Sequence, residues 1–268
     1  MTTKDDVNFY RFDGARDAHK LAGLVTGFGG RASDLEQAAL DFTAYGYDSI
    51  IYEVNDPEIF LSGDPQVLLE TTARVADDFH KQAIGYDAVR LVGVSLGGAI
   101  AANVQKQFPD AERGFFGATG ANAPDIMMSG WFNNLVYARY HKNIRRAFER
   151  NGFDRDTLND TWSEFQKAPD TPFTLALGGL DRIVRRDHAQ KNIDAWRQYN
   201  SDIKVIESPT SNHGATIRRF NHTIVDIALN PRSNRLIRRL SPLADMAASA
   251  KSRFRSIKRP ASNTALAV

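Results

Sequence analysis

The sequence predicts an α/β fold: a mostly parallel sheet with helices on both faces. Three observations predict it. Short apolar, β-branched runs alternate with amphipathic segments through most of the chain, as a parallel sheet with crossover helices requires. One of these runs, Val89–Val94, is continuously apolar, as expected of a strand buried on both faces. The composition is that of an ordinary globular chain, with 268 residues, 42% hydrophobic and 25% charged. A (β/α)8 barrel is disfavoured because too few regular units can be counted.

The elements follow in order. Val7–Phe12 reads as an opening strand closed by the turn pair Asp13-Gly14. Leu21–Thr26 is a second strand running into Gly27-Phe28-Gly29-Gly30. Ser33-Asp34-Leu35-Glu36 has the form of a capping box, and the helix it opens carries Leu35, Ala38, Ala39 and Phe42 on one face until Gly46. Asp48–Val54 is a strand. Asp64-Pro65 then supplies an N-cap and first helical residue, with Leu68, Val75 and Phe79 on one face. After the strand Val89–Val94 come a helix over Leu96–Phe108 and strands over Gly114–Ala118 and Phe173–Leu177. A helix over Asp187–Tyr199, a strand over Ile203–Ile206 and a helix over Thr216–Leu229 complete the body. Residues 122–171 break the rhythm. They contain no convincing strand, two helical patterns (Leu135–Arg150 and Thr157–Lys167) and many aromatics, and read as an inserted helical cap.

Cysteine is absent, which excludes disulfides and Cys-ligated metal centres. The longest apolar run, Leu91–Val104, holds Ser95 and three glycines and is shorter than the ~20 residues a spanning helix needs. The polar start shows no secretory pattern, so a cytoplasmic protein is expected. The net charge of +2 hides an asymmetry. Residues 232–268 carry nine Lys or Arg against one acid, or +8, while the other 25 bases and 31 acids leave residues 1–231 at −6. We therefore divide the chain into a body over 1–231 and a basic tail over 232–268 that is amphipathic or disordered. The tail can form a helix with Leu243, Ala247, Ala250, Phe254 and Ile257 on one face. Such a segment can lie on an anionic membrane surface or dock on the acidic body, so peripheral membrane contact is one expectation for it. Nucleic-acid binding has only charge in its favour, with no reading motif, and is not expected.

The strongest chemical signal is Gly93-Val94-Ser95-Leu96-Gly97, at the junction of an apolar strand and a helix. That context is what a nucleophile elbow requires: a tight strained turn projects the serine above the strand ends, and side chains at the two glycines would collide with neighbouring backbone. A serine hydroxyl needs a base. Of six histidines, His213 lies directly after a strand, in Ser211-Asn212-His213-Gly214. Asp181 follows the strand Phe173–Leu177 through Gly178-Gly179-Leu180 and is the candidate to orient the imidazole, with Glu207 and Asp202 as rivals. For a developing oxyanion, the candidate donors are the backbone N–H groups of Leu96 and Phe28. The glycine-rich loop has neither the Lys-Ser/Thr of a phosphate-binding loop nor the spacing of a dinucleotide site.

These four features, in this order, resemble the α/β-hydrolases of the serine-hydrolase type over about residues 7–231. The resemblance implies the α/β-hydrolase fold and a catalytic Ser95, Asp181 and His213. It also implies no metal, no cofactor, and a cap between the sixth and seventh of the family's eight strands. It differs at two places. Thr26-Gly27 stands where many members have His-Gly, and Asn55-Asp56-Pro57 replaces an Asp-x-x-Gly-x-Gly-x-Ser-like loop. The N-terminal strands also look shortened.

The implied activity is hydrolysis of a carboxylic ester or thioester through an acyl-enzyme, falling in acid as the imidazole protonates. Acyl transfer, C–C hydrolysis, cofactor-free peroxidation and non-catalytic binding on the same fold are the alternatives. The aromatic cap points to a small to medium apolar acyl substrate, with Gly27, Trp131 and Phe132 as expected contacts.

Overall fold

The computed structural model describes residues 8–14, 18–54, 58–120, 123–129 and 135–221. Its centre is a seven-stranded sheet of β1 (Asn8–Phe12), β2 (Lys20–Val25), β3 (Tyr47–Glu53), β4 (Ala88–Val94), β5 (Gly114–Gly117), β6 (Phe173–Gly178) and β7 (Ile203–Ser208). The spatial order is β1-β3-β2-β4-β5-β6-β7. Only β1 runs antiparallel, against β3, and every other neighbouring pair is parallel.

Alternation along each strand builds two cores. Leu21 and Val25 of β2, Leu91 of β4, Phe116 of β5 and Leu175 and Leu177 of β6 face one side. They meet α3 (Gln66–Ala83), α4 (Leu96–Gln105) and α8 (Arg186–Trp196) through Val75, Phe79, Ile100, Val104, Ala189 and Ile193. Ala22 and Leu24, Val92 and Val94, Phe115 and Ala176 face the other side. There they meet α1 (Glu36–Ala44) through Ala38, Ala39 and Phe42, and α9 (His213–Asn221) through Ile217. Burial of this kind contributes ~25 cal/mol per Å2 of apolar surface, which is why a strand pattern of period two survives in the fold.

Two helix starts differ from the sequence expectation. Ser33 and Glu36 do not form the capping box. A 3-10 turn over Ala32–Asp34 precedes α1 instead, with the Arg31 N–H donating to Asp34 Oδ2 at 2.9 Å and the Ala32 N–H to Glu53 Oε2 at 2.7 Å. The helix start is therefore set by Asp34 and by a carboxylate from the end of β3 rather than by Ser33 and Glu36. The final helix begins at His213 rather than Thr216. Asn212 accepts from the Ala215 N–H through its side chain (2.9 Å) and from the Thr216 N–H through its carbonyl (2.8 Å), making it the cap.

A helical stretch lies between β5 and β6. It holds α5 (Ala123–Ser129), which the sequence pattern did not single out, α6 (Leu135–Arg150), α7 (Arg155–Thr161) and a 3-10 turn over Ser163–Gln166. Its described aromatics are packing groups. Phe148 meets Trp162 edge-on at 5.6 Å and Phe153 at 6.5 Å, and both Phe148 and Trp162 are fully buried. The Trp162 indole N–H donates to the Pro65 carbonyl at 3.0 Å, and Asn151 donates to the Ser62 and Gly63 carbonyls at 3.1 and 3.0 Å. The insertion is thereby fastened to the loop between α2 (Glu58–Leu61) and α3. Trp162→Ala, which removes both the ring stack and the hydrogen bond, is expected to cost ~3–5 kcal/mol in denaturant unfolding.

A half-buried cation fastens the other side. The Lys106 ammonium donates to Asn103 Oδ1 at 2.9 Å and to the Glu164 carbonyl. Burial pushes it down to about 8, against the opposing pull of the Glu164 charge. Between about 8 and the ordinary lysine value of 10.5 the unfolded chain holds this proton and the folded chain does not, so stability rises with pH across that window. Lys106 is partly solvated, which discounts the effect to ~1–2 kcal/mol. Unfolding midpoints measured at pH 7 and pH 10 are expected to show the rise in the wild type and its loss in Lys106→Met.

No helix among the described residues is long and apolar enough to cross a membrane. The basic tail lies outside the described residues.

Candidate active site

The carboxyl ends of β2, β4, β6 and β7 emerge on one edge of the sheet, where open parallel sheets place their sites. At the end of β4, Ser95 has φ 55° and ψ −124°, a left-handed conformation that costs a non-glycine residue ~1–3 kcal/mol. The turn holds because its flanks carry no side chains. A Cβ on Gly93 would lie 2.2 Å from the Gly97 carbonyl oxygen, and one on Gly97 would lie 2.2 Å from the Thr26 carbonyl oxygen. The second contact also seats the elbow against the end of β2. The Ser95 N–H donates to the Gly117 carbonyl at 2.8 Å, tying the turn to β5.

Ser95, Asp181 and His213 come together. His213 Nε2 is 2.9 Å from Ser95 Oγ, and Nδ1 is 2.7 Å from Asp181 Oδ2. An ionised carboxylate can only accept, so Nδ1 carries the proton and Nε2 presents its lone pair to the serine hydroxyl. The Asp181 side chain is 1% exposed and that of His213 is 15% exposed. The other Asp181 oxygen, Oδ1, accepts the N–H groups of Ile183 and Val184, both at 2.9 Å. This buried carboxylate is therefore satisfied at both oxygens, which offsets its desolvation.

The rivals lie elsewhere. Glu207 pairs with Arg186 at 2.9 Å, and Asp202 pairs with Arg113. His19 stands 3.8 Å from Asp87, His80 lies against Phe108 and His188 is 4.0 Å from Asp187. His222 and the side chain of His141 are not described.

On the oxyanion side, Leu96 is the first residue of α4, where helical N–H groups have no intrahelical acceptor. Phe28 follows Gly27 in the loop after β2, its ring 5.1 Å from that of Phe60. Gly27 lies directly against the serine, since a Cβ there would come within 3.1 Å of Ser95 Cβ. Trp131 and Phe132, expected to contact substrate, lie outside the described residues.

Several positioning groups were not read from the sequence. Thr26, fully buried, accepts the Val54 N–H through its hydroxyl at 3.0 Å, while its own N–H donates to the Tyr52 carbonyl at 3.0 Å. Both bonds hold the start of the glycine-rich loop to β3. The loops of Asp181 and His213 are laced together. The Gly179 N–H donates to the Ser208 carbonyl at 2.8 Å, the Leu180 N–H to the Ser211 carbonyl at 3.0 Å, and the Ser208 and Ser211 hydroxyls lie 2.5 Å apart. A turn-forming run, Ser208-Pro209-Thr210-Ser211-Asn212, was the available signal.

No family model and no curated protein matches the sequence. Solved structures do match it. The chain superimposes on the esterase Est1E from Butyrivibrio proteoclasticus, solved with ferulic acid bound, with a TM-score of 0.58 at 13% identity, over 83% of this chain and 94% of that one. The Pyrococcus furiosus esterase Pf2001 matches with a TM-score of 0.57 at 12% identity, over 87% and 91% of the two chains. The fold is the α/β-hydrolase fold. A monoacylglycerol lipase from Paleococcus ferrophilus extends the set, with a TM-score of 0.52 at 12% identity over 82% of this chain and 97% of that one. Within the α/β-hydrolase fold, Ser95 stands at the strand–helix elbow after β4, and its partners stand after β6 and β7. Among the described residues no group of His, Asp or Glu could hold a metal ion.

Proposed function

We propose that this protein is a serine hydrolase that cleaves a carboxylic ester or thioester through an acyl-enzyme on Ser95. The observation that carries the reading is the single imidazole of His213 bridging Ser95 Oγ at 2.9 Å and the buried Asp181 carboxylate at 2.7 Å. His213 Nε2 takes the hydroxyl proton as Ser95 Oγ bonds to the substrate carbonyl carbon. The carbonyl π electrons pass to oxygen, where the N–H groups of Leu96 and Phe28 stabilise the charge. As the tetrahedral species collapses, the bond to the alcohol or thiol breaks and His213 returns its proton to that leaving group. Water, deprotonated by the same nitrogen, then attacks the acyl-enzyme and releases the acid and free Ser95. Asp181 holds the Nδ1 tautomer and stabilises the imidazolium in both halves.

The esterase and lipase activities of the structural neighbours support this choice over other chemistries of the fold. The acyl portion is small to medium and apolar, in keeping with the partly buried apolar residues Phe28 and Leu96 next to Gly27 and Ser95. No cofactor or metal takes part in this scheme, and the location is cytoplasmic, with the basic tail available for peripheral membrane contact. Rapid quenching during turnover of 4-nitrophenyl butyrate is expected to trap a butyryl group on Ser95 by peptide mass. Turnover without such an adduct, persisting in Ser95→Ala, would contradict the scheme.

A further inference from the structure

Beside the loop of Asp181 the surface opens into a concavity of about 960 Å3. It is lined by the turn from Gly179 to Asp181 and by Arg182, Arg185, Arg186 and Asp187. Leu180 is 59% exposed, an apolar side chain held in water beside three exposed arginines. A fourth arginine flanks the histidine loop. Arg218 of α9 is exposed, and its Nη1 would lie 3.6 Å from a Cβ on Gly214, the residue after His213. Both loops that deliver the acid–base pair are therefore edged with guanidinium groups, in a body whose sequence carries a charge of −6.

The three arginines of the concavity are already engaged. Arg185 binds Asp187 at 2.7 Å and Arg186 binds Glu207 at 2.9 Å. Exposed pairs of this sort are weak, and a guanidinium has five donors, so an incoming anion can share or displace them. The placement also selects which half of a substrate meets the arginines. In the proposed reaction His213 protonates the leaving group, so the alcohol or thiol portion must lie on the His213 side, while the carbonyl oxygen points to the N–H groups of Phe28 and Leu96.

We infer that the alcohol or thiol portion of the substrate carries a negative charge, a phosphate or a carboxylate, which the arginine rim of Arg182, Arg185 and Arg218 recognises. This rests on the proposed hydrolase reading and narrows its substrate class to anionic esters and thioesters with an apolar acyl group. Leu180 would pack on the apolar stem that joins the anion to the scissile bond. Arginine suits both anions because its planar fork binds carboxylate and phosphate oxygens in pairs.

The test uses matched pairs with one acyl group. Phenyl butyrate is compared with 4-carboxyphenyl butyrate, and S-butyryl-N-acetylcysteamine with butyryl-coenzyme A, so that the carboxylate and phosphate arms are separated. The preference is the ratio of kcat/KM for the anionic member over the neutral one, and it is compared between wild type, R182Q/R185Q and R218Q. Leaving-group reactivity and general loss of fold affect both members of a pair, so they cancel in the change of ratio. At least one pair is expected to show a wild-type ratio that drops tenfold or more in R182Q/R185Q, several-fold in R218Q, and that shrinks as salt is raised. Ratios unchanged by the substitutions in both pairs, with the neutral esters turned over, would overturn this inference and leave the hydrolase reading standing. Failure of all four substrates together with no covalent capture of Ser95 by a fluorophosphonate would overturn the hydrolase reading and this inference with it.

Discussion

Replacing Ser95 by alanine is expected to lower kcat by ~10^5–10^6-fold, to the level that binding and the oxyanion donors alone sustain. Nothing else at the site substitutes for the hydroxyl: His213 Nε2 has Ser95 Oγ as its partner at 2.9 Å. Protein stability is expected to stay close to that of the wild type, because alanine meets the same backbone strain at φ 55°. Ser95→Gly provides the complementary result. Glycine relieves the left-handed strain, and the variant is expected to be inactive yet no less stable, with a gain of up to ~1 kcal/mol. Steady-state kinetics and denaturant unfolding on the three proteins together separate the chemical role of the hydroxyl from the strain that displays it.

Asp181→Asn is expected to lower kcat by ~10^4-fold with little change in structure. The argument runs through hydrogen-bond polarity. Oδ1 of Asp181 accepts two backbone N–H groups, from Ile183 and Val184, so the oxygen of an asparagine must occupy that position. Its NH2 group then faces Nδ1 of His213 and can only donate. The imidazole responds by placing its proton on Nε2, where it can no longer take the proton of Ser95. The loss is expected in kcat with KM nearly unchanged, since Asp181 is buried behind the ring and does not touch substrate. An equal fall from Asp181→Asn and Glu207→Gln would contradict the assignment of the acid, because Glu207 is bound to Arg186 away from the imidazole.

Much of the site was legible because its constraints are local and steric. Gly93 and Gly97 flank the serine since any side chain there would meet backbone at 2.2 Å, and such contacts leave a mark in sequence. The apolar run before Ser95 and the glycines before Asp181 are of the same kind. Inner strands such as β4 and β6 could be placed to within a residue or two because burial on both faces favours apolar residues at successive positions. What sequence did not disclose depends on partners distant along the chain. Glu53 reaches the Ala32 N–H across the chain, and Thr26 looks like an unremarkable strand-end residue until Val54 lies across from it. The aromatic composition of residues 122–171 points to an apolar pocket, yet Phe148 packs against both Trp162 and Phe153, as helical aromatic spacing more often signifies core. The arginine rim was hidden for a further reason: Arg182 and Arg218 are far apart in sequence and are related only through the loops of Asp181 and His213.

The central claim is that Ser95 is an activated nucleophile. It is tested most directly by treating wild type and Ser95→Ala with a fluorophosphonate probe and weighing the intact proteins. The account predicts one phosphonyl adduct on the wild type, located at Ser95 by peptide mapping, and none on the variant. An unlabelled wild type that also fails to turn over a small activated ester, or equal labelling of both proteins, would contradict it.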